Sequence, residues 1–416
     1  MLRHVSVRRI QRDAALARDY WLGHNGAMRA RPHSRADISI VGGGIIGLAC
    51  AEALAMRGLR VQVIDRTAGR HVVGENASNS ASWASAGMIA PLAEVPDDDQ
   101  FLRICLSSRN RWARWAAELE SATGIDLDYD RSGALLVADR PHDEPDRLEV
   151  FESVAHRVGE LVQRLGAQEI RRLLPDAAHN LDVGLRLPGE HRVDNRNVCH
   201  ALLRRLDQLG VEILRREVLS IEQIGASSAV RTDQDTLSTG AVLLTAGAWS
   251  SRIGGLPALP IRPLRGQMIR LSGVDWPFLG SVRGSSCYAV RRRGSSSDSA
   301  GDLLIGATED QAGFDCRVTT AGLAELSSWL LHVFPELAEH AVAESWAGLR
   351  PSTPDGRPVL DQLDTSLWVA TGHHRNGILL APWTADTMAS WIADDAVPEG
   401  QALCSFGRFS HAETEA

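Results

Sequence analysis

The sequence contains no lysine, so arginine supplies all 44 of its basic side chains other than histidine. This absence excludes a phosphate-binding loop that ends in lysine and any enzyme that forms a Schiff base through lysine. A substrate with a carboxylate would therefore be held by arginine, whose planar guanidinium donates two parallel hydrogen bonds.

Cysteine is also scarce. The six cysteines lie far apart and include no Cys-x-x-Cys pair, which argues against both a zinc site and a disulfide framework. We therefore expect that the protein binds no metal. We also expect that its thiols are reduced and that it is located in the cytoplasm. The cysteines are Cys50, Cys105, Cys199, Cys287, Cys316 and Cys404.

Long hydrophobic runs are missing as well. The most apolar stretch, residues 38–56, is interrupted by Glu52 and contains three consecutive glycines from Gly42. These features suit a buried strand and helix better than a membrane span, so we expect no transmembrane segment.

Positive charge is concentrated at the N-terminus. The net charge is −8, yet residues 1–36 hold eight arginines against Asp13 and Asp19. The remainder is acidic, which argues against a nucleic-acid partner because phosphates need a basic face on the folded part. We predict that residues 1–36 are a disordered tail or a transit-like peptide, or that translation starts at Met28.

The rest of the composition is that of an ordinary globular protein. With 416 residues, 44% of them hydrophobic and 23% charged, the chain is long enough for two or three folded units. The sequence does not define the oligomeric state, and a homo-oligomer is left open.

A strand, a glycine-rich turn, a helix and a second strand begin the folded part. Strand 38–41 leads through Gly42-Gly43-Gly44-Ile45-Ile46-Gly47 into a helix that ends near Arg57, and strand 60–64 precedes Asp65. Such a GxGxxG lets the backbone approach a pyrophosphate at the helix N-terminus, while the carboxylate accepts ribose hydroxyls. The motif does not choose between FAD and NAD, but it occurs once, so we predict one dinucleotide.

The later segments predict more α/β structure and a separate antiparallel sheet. Residues 72–96 predict a loop of small residues, residues 141–180 have helical character, and the Gly/Ser-rich residues 294–301 predict a flexible hairpin loop. The predicted helices are 101–123, which ends at Gly124, and 197–209; the predicted strands are 211–219, 241–244 and 367–371, with 261–271, 287–292 and 303–307 in the antiparallel sheet.

One later segment joins a strand to a helix through glycine. After Trp368 the strand ends at Gly372, and a helix begins near Asn376. A helix N-terminus aimed at a reduced flavin would stabilise its negative charge, although an ordinary strand-to-helix connection explains the same pattern. The adjacent His373 and His374 are not expected to ligate one metal together.

A second segment holds a candidate carboxylate ligand. Residues 348–357 predict a proline-fixed loop that contains Arg350. Arg350 is then either a rigid partner for a substrate carboxylate or an arginine in a surface ion pair.

Together these residues resemble the D-amino acid oxidase superfamily of flavoenzymes, and within it the glycine oxidases of thiamine biosynthesis. The resemblance covers about residues 37–391, and several matching pieces in the same order are more specific than the glycine motif alone. Besides the first strand–helix–strand unit, the matching pieces are residues 82–91, 263–267, 306–315, 348–358 and 372–382.

The resemblance implies an α/β fold: an FAD-binding Rossmann-like domain and an interleaved α+β substrate domain whose antiparallel sheet covers a non-covalent flavin. The implied FAD-binding domain comprises residues 37–95, 181–260 and 336–400. The implied substrate domain comprises residues 96–180 and 261–335, with tails at 1–36 and 401–416.

The resemblance also implies roles for individual residues. Tyr288 and Arg350 would bind the substrate carboxylate, with Arg375 near the pocket, and these three are the predicted catalytic residues. The predicted FAD-binding residues are Gly42, Gly44, Ile45, Ile46, Gly47, Asp65, Arg66, Ser82, Ala86, Gly87, Met88, Val218, Gly247, Gly372, Asn376, Gly377 and Ile378.

The implied reaction is oxidation of an amino acid. Hydride would leave the α-carbon of a neutral amine for the flavin without a general base, and the imine would hydrolyse to an oxo acid and ammonia or an amine. Oxygen as acceptor would give hydrogen peroxide; a D-amino acid or hydroxyproline dehydrogenase that uses a quinone or another carrier, and a non-catalytic FAD-binding subunit, stay open as alternatives.

Departures from the family pattern concern the substrate. Ser286 stands where relatives often have histidine, and Ala289-Val290-Arg291 lacks the usual proline after Tyr288. Glycine, a D-amino acid, sarcosine or a hydroxyproline isomer therefore all stay open as substrates.

Overall fold

The computed structural model describes residues 36–67, 80–94, 98–139, 144–175, 177–178, 181–293, 301–397 and 399–409. Nearly all of the predicted N-terminal tail and of the predicted hairpin loop at 294–301 lies outside these residues. Within these ranges, no helix combines the length and apolar character that crossing a membrane requires.

Strands occur along most of the described chain. In chain order they are β1 (Ile38–Val41), β2 (Val61–Asp65), β3 (Met88–Ile89), β4 (Ala134–Val137), β5 (Gln163–Gly166), β6 (Val183–Leu187), β7 (His191–Arg192), β8 (Glu212–Arg215), β9 (Val218–Ile224), β10 (Ser227–Thr232), β11 (Thr236–Thr239), β12 (Ala241–Leu244), β13 (Arg262–Val274), β14 (Ser281–Arg283), β15 (Tyr288–Arg292), β16 (Gly301–Gly306), β17 (Val342–Ser352), β18 (Val359–Asp364) and β19 (Leu367–Thr371).

The α-helices alternate with these strands. They are α1 (Ile45–Met56), α2 (Ala81–Ala84), α3 (Pro91–Glu94), α4 (Asp99–Thr123), α5 (Glu144–Val158), α6 (Ala167–Leu173), α7 (Asn195–Gln208), α8 (Thr320–Val333) and α9 (Gly377–Asp394). Short 3-10 helices occupy Gly247–Arg252, Pro335–Glu339, Gln401–Cys404 and Phe406–Phe409.

A six-stranded sheet carries the glycine-rich turn. Its strand order is β18-β19-β12-β1-β2-β8, and all neighbours pair in parallel except the edge strand β18. The central strand β1 is buried throughout, because Ile38 and Ile40 pack with helix α1 on one face while Val41 packs with a second cluster on the other. Burial on both faces is typical of parallel sheets in α/β proteins.

An eight-stranded sheet forms the second large layer. Its order is β17-β13-β16-β15-β14-β4-β6-β5, and only β14 and β4 pair in parallel. Helix α8 covers one face, where Leu326, Trp329 and Leu330 pack with Ile269 and Leu303 of the sheet. The pairing of β13, β15 and β16 confirms the predicted antiparallel sheet, and the two sheets together confirm the α/β fold class. The domain boundaries stay a prediction.

Three sequence interpretations need correction. Arg350 lies in strand β17 rather than in a proline-fixed loop. The described part of the predicted loop 72–96 contains α2, β3 and α3. Residues 401–409 of the predicted C-terminal tail are folded: Gln401 Nε2 donates to the carbonyl oxygen of Leu360 at 2.7 Å, and Ser405 Oγ donates to Asp361 at 2.8 Å.

Candidate active site

A cavity of about 790 Å³ runs between the two large sheets. Its lining begins at the glycine-rich turn after β1 and reaches the strands β13, β15 and β17 of the antiparallel sheet. This volume lies in the upper part of the range of about 300–1,000 Å³ that is usual for ligand and cofactor sites.

The turn from β1 into α1 is shaped by glycine. Gly42 has φ +112°, and a Cβ there would lie 2.6 Å from the carbonyl oxygen of Thr245. A Cβ on Gly47 would lie 1.9 Å from the carbonyl oxygen of Gly42, so only glycine lets α1 approach the strands this closely. The N-cap residue, Gly44, offers no side chain, and the open helix N-terminus favours a negatively charged group.

Neighbouring side chains hold the backbone amides of this turn. Asp65 Oδ2 accepts from the amide of Gly43 at 2.8 Å, and Ser82 Oγ accepts from the amide of Ile45 at 2.9 Å. The guanidinium of Arg66 lies 4.2 Å above the ring of Trp249. The turn is thus fixed by an acidic residue at the end of β2, where a ribose-binding carboxylate is expected in a dinucleotide-binding fold.

The structure brings most of the predicted cofactor residues to this cavity. Gly47 and Gly372 do not line it. Gly372 has φ +77° and packs against Thr353 and Ile261, so its place in the site is to shape the chain. The predicted residues that line the cavity are Gly42, Gly44, Ile45, Ile46, Asp65, Arg66, Ser82, Ala86, Gly87, Met88, Val218, Gly247, Asn376, Gly377 and Ile378.

At the other end of the cavity, helix α9 begins after Asn376, its N-cap residue. His373 is buried and its Nε2 lies 3.0 Å from Thr384 Oγ1; burial lowers the pKa of His373 to about 3. Burial, aided by the charge of Arg375, lowers the pKa of His374 to about 4. Both imidazoles are therefore neutral near pH 7 and add no charge to the site.

Arg350 extends from β17 into this part of the cavity. Its Nη1 donates to the carbonyl oxygen of Thr308 at 3.0 Å, and among the described residues no carboxylate lies within ion-pair distance of it. Removal from bulk water lowers the pKa of Arg350, whose guanidinium nevertheless stays charged near pH 7. An arginine in this state is prepared to bind an anion.

Tyr288 lies beside Arg350, at the start of β15. Its hydroxyl donates to the sulfur of Met268 at 3.3 Å, and a thioether is only a weak acceptor. Burial raises the pKa of Tyr288, so the phenol is protonated near pH 7. The hydroxyl can exchange this weak partner for a carboxylate oxygen.

Arg375, in contrast to Arg350, is already paired. It donates to Glu309, and its Nη1 lies 3.6 Å from Glu94 Oε2. The other oxygen of Glu94 accepts from Arg283 Nη1 at 2.5 Å. Sequence reasoning missed Glu94, Arg283 and Glu309 as site residues, although Glu309 lies within the matching piece 306–315.

The sequence is similar to those of known FAD-dependent oxidoreductases. The DAO family profile, described as FAD dependent oxidoreductase, matches residues 37–391. The glycine oxidase of Geobacillus kaustophilus (strain HTA426) is 31% identical over 86% of this chain and 93% of its own length. The bifunctional protein ThiO/ThiG of Synechocystis sp. (strain PCC 6803) is 33% identical over 87% of this chain but 52% of its own, so this chain spans about half of that relative.

The fold is also similar to the folds of solved structures. The crystal structure of glycine oxidase from Geobacillus kaustophilus superposes with a TM-score of 0.81 at 30% identity, covering 90% of this chain and 99% of that one. Iminodiacetate oxidase from Chelativorans sp. BNC1 superposes with a TM-score of 0.77 at 27% identity, covering 88% of this chain and 98% of that one.

Proposed function

The chain belongs to the family of FAD dependent oxidoreductases, and from this membership we propose that it oxidises glycine or another small D-amino or N-substituted amino acid. The products would be an oxo acid and ammonia or an amine, with hydrogen peroxide when oxygen accepts the electrons. When bound, FAD supplies the hydride acceptor for this chemistry.

The guanidinium of Arg350, which has no carboxylate partner among the described residues, is the single observation that carries the proposal. Arg283 and Arg375 each form an ion pair with a carboxylate. Arg350, which lines the same part of the cavity, has no carboxylate partner within the described residues. An amino acid carboxylate would occupy this position and could accept two parallel hydrogen bonds. A ligand without a carboxylate would leave the same guanidinium without a counter-charge.

The residues of the long cavity fit the cofactor that the family implies. Gly42 and Gly47 let the start of α1 pack closely against the strands, and Asp65 lies where a ribose would be bound. At the far end, the helix start at Asn376 and Gly377 also lines the cavity, and Asn376 Oδ1 is a buried acceptor without a hydrogen-bond partner among the described residues. We propose that these groups hold the two ends of FAD.

The protein side chains would act by orientation rather than by taking a proton. Arg350 and Tyr288 would fix the substrate carboxylate and so present the α-carbon in one direction. His373, whose pKa is about 3, and His374, whose pKa is about 4, are neutral near pH 7. They would therefore act as hydrogen-bond partners or packing groups. Arg375 would order the pocket through its two carboxylate partners.

The test uses the purified full-length protein with its flavin. Hydrogen peroxide is measured with glycine, sarcosine, D-alanine and D-proline, and the flavin absorbance is followed anaerobically with the same amines. Peroxide production supports the oxidase; anaerobic bleaching without peroxide indicates a dehydrogenase that uses another acceptor. A flavoprotein that none of these amines bleaches contradicts the proposal and favours a non-catalytic subunit.

A further inference from the structure

Glu94 is a buried carboxylate that lines the cavity near Arg350 and Tyr288, the part of the cavity proposed to bind the substrate. It is the last residue of α3, and only 7% of its side chain is exposed. Oε1 accepts from Arg283 Nη1 at 2.5 Å, whereas Oε2 lies 3.6 Å from Arg375 Nη1 and has no hydrogen-bond partner among the described residues. Burial favours a higher pKa, but the charges of Arg283, Arg375 and Arg350 outweigh it and lower the pKa of Glu94, so it is ionised near pH 7.

Arg283 is the partner that Glu94 neutralises. It is the last residue of β14, its side chain is 11% exposed, and it also lines the cavity. Its guanidinium lies 5.7 Å from the ring centroid of Tyr288, the proposed partner of the substrate carboxylate. Without Glu94, Arg283 would be a second guanidinium beside Arg350 with no counter-charge.

The charges in this end of the cavity leave room for one anion. The guanidinium groups of Arg283, Arg350 and Arg375 face the carboxylates of Glu94 and Glu309, which leaves one positive charge in excess. His374 is neutral near pH 7 because its pKa is about 4. Glu325 also lines the cavity, but it is exposed to solvent, where water and salt screen its charge.

We propose that Glu94 makes the site selective for amino acids with a single carboxylate, by neutralising Arg283 and repelling a second anionic group. This inference rests on the proposed function, because it names the class of amino acid that the same site accepts. Glycine, sarcosine and D-alanine belong to this class, whereas D-aspartate and iminodiacetate do not. Because the side chain of Glu94 is buried, water screens its charge only weakly, so a second anionic group beside it would be repelled.

The test uses Glu94→Gln, which removes the negative charge of the side chain and keeps nearly the same shape. The holoenzymes of the wild type and of Glu94→Gln are compared for kcat/KM with D-alanine and D-aspartate, and for kcat/KM with glycine and iminodiacetate. We expect Glu94→Gln to shift both ratios at least about tenfold toward the dicarboxylate, because it removes a repulsion and leaves Arg283 free to bind an anion. Ratios within about twofold of wild type, or a wild type that already prefers the dicarboxylates, would overturn the inference.

Equilibrium binding gives a readout that does not depend on turnover. Acetate and malonate, which carry one and two carboxylates, are titrated into each holoenzyme by calorimetry. Malonate affinity should rise relative to acetate affinity in Glu94→Gln by about tenfold, and equal changes for both ligands would contradict the proposal. If no variant oxidises any amine, the proposed function fails, while this titration still decides the role of Glu94.

Two further variants test whether the effect is specific to the ion pair of Glu94 and Arg283. One controls for the loss of any carboxylate in the cavity, and the other controls for a failure to fold. Glu325→Gln removes a carboxylate from the exposed part of the cavity, and it should leave the dicarboxylate ratios within about twofold of wild type. Arg283→Gln/Glu94→Gln removes both members of the ion pair, so it leaves neither of them without its counter-charge, and it replaces the single variant if that one does not fold. We expect the double variant to lose about threefold of the discrimination against D-aspartate; unchanged discrimination would overturn the role of Glu94.

Discussion

The guanidinium of Arg350 lies in the space that a side chain at residue 266 would fill. Gly266 and Arg350 lie on the paired strands β13 and β17. A Cβ on Gly266 would be 2.6 Å from Nη2 of Arg350 and 2.7 Å from both Cζ and Nη1. The absence of a side chain at residue 266 is therefore what allows Arg350 to take its position beside the cavity.

Gly266→Ala should weaken substrate binding through Arg350. The added methyl group would displace the guanidinium, and we expect KM for the best amine substrate to rise about tenfold or more while the flavin content stays unchanged. Steady-state kinetics and the ratio of flavin to protein absorbance test this. Gly166→Ala is the matched control, since a Cβ at Gly166 meets nothing within 4 Å; an unchanged KM in Gly266→Ala would mean that Arg350 does not anchor substrate.

Arg350→Ala should have a larger effect than Gly266→Ala. A carboxylate that loses its charged partner forfeits hydrogen bonds that each contribute about 1.5–3 kcal/mol, so kcat/KM should fall by about a hundredfold or more. Arg350→Lys should recover only part of this loss, because an ammonium cannot make two parallel hydrogen bonds. Wild-type acetate affinity in Arg350→Ala would contradict the proposed anchor.

The local parts of the fold could be predicted from the sequence. The first strand–helix–strand unit follows from hydrophobic periodicity and from glycines at the turn, which are signals within about 30 residues. Helix α4 ends at Gly124, as predicted, because Gly124 has φ +69° and so adopts the left-handed conformation that ends many helices.

The strand that carries Arg350 was not predicted because its prolines suggested a loop. In the structure, Pro351 of β17 stands opposite Pro263 of β13. Since β17 is the edge strand of its sheet, its outward side needs no ladder partner, and proline is tolerated there. Edge position depends on the whole topology, which the sequence around residue 350 does not contain.

The ion pair of Glu94 and Arg283 was missed for a related reason. The two residues are separated by 189 positions, and only the tertiary fold brings them together. The predicted site residues were those of local glycine turns and of matching family pieces. Side chains that meet only through tertiary contact leave no such signal.

Asn195 links the antiparallel sheet to the glycine-rich turn. Its Nδ2 donates to the carbonyl oxygens of Ser82 at 2.6 Å and Trp83 at 3.1 Å, and its Oδ1 accepts from Arg292 Nη2 at 2.5 Å. Ser82 in turn binds the amide of Ile45 at the start of α1. The position of Ser82 therefore depends on Asn195.

Asn195→Ala should lower the affinity for FAD. Loss of the hydrogen bonds that hold Ser82 costs about 1–3 kcal/mol, so we expect the dissociation constant of FAD to rise between about fivefold and about a hundredfold. Fluorescence titration of flavin-free protein measures this. Asn197→Ala on the same helix is the control, because Asn197 Nδ2 only binds the carbonyl oxygen of Asp126 in an exposed contact; similar FAD affinities for the two variants would contradict the role of Asn195.

Glu190 is a second buried carboxylate, and it lies outside the cavity lining. It is 1% exposed, and its Oε1 accepts from the amide of Leu92 at 3.0 Å. Burial raises the pKa of Glu190 from 4.5 to about 8, against the lowering effect of Arg283. The side chain is therefore largely protonated at pH 7, and the folded state holds a proton that the unfolded state has released.

Glu190 should make the stability of the fold depend on pH. An acid whose pKa is raised on folding contributes most stability below its unfolded value of 4.5, and this contribution is lost as the pH rises toward about 8. The free energy of unfolding of the wild type, relative to Glu190→Gln, should therefore fall between pH 5 and pH 8 by up to about 1.4 kcal/mol per pH unit. Urea unfolding of both proteins at several pH values measures the difference. Glu118→Gln, which removes an exposed carboxylate, should show no such slope, and a flat difference for Glu190→Gln would show that Glu190 is ionised in the folded protein.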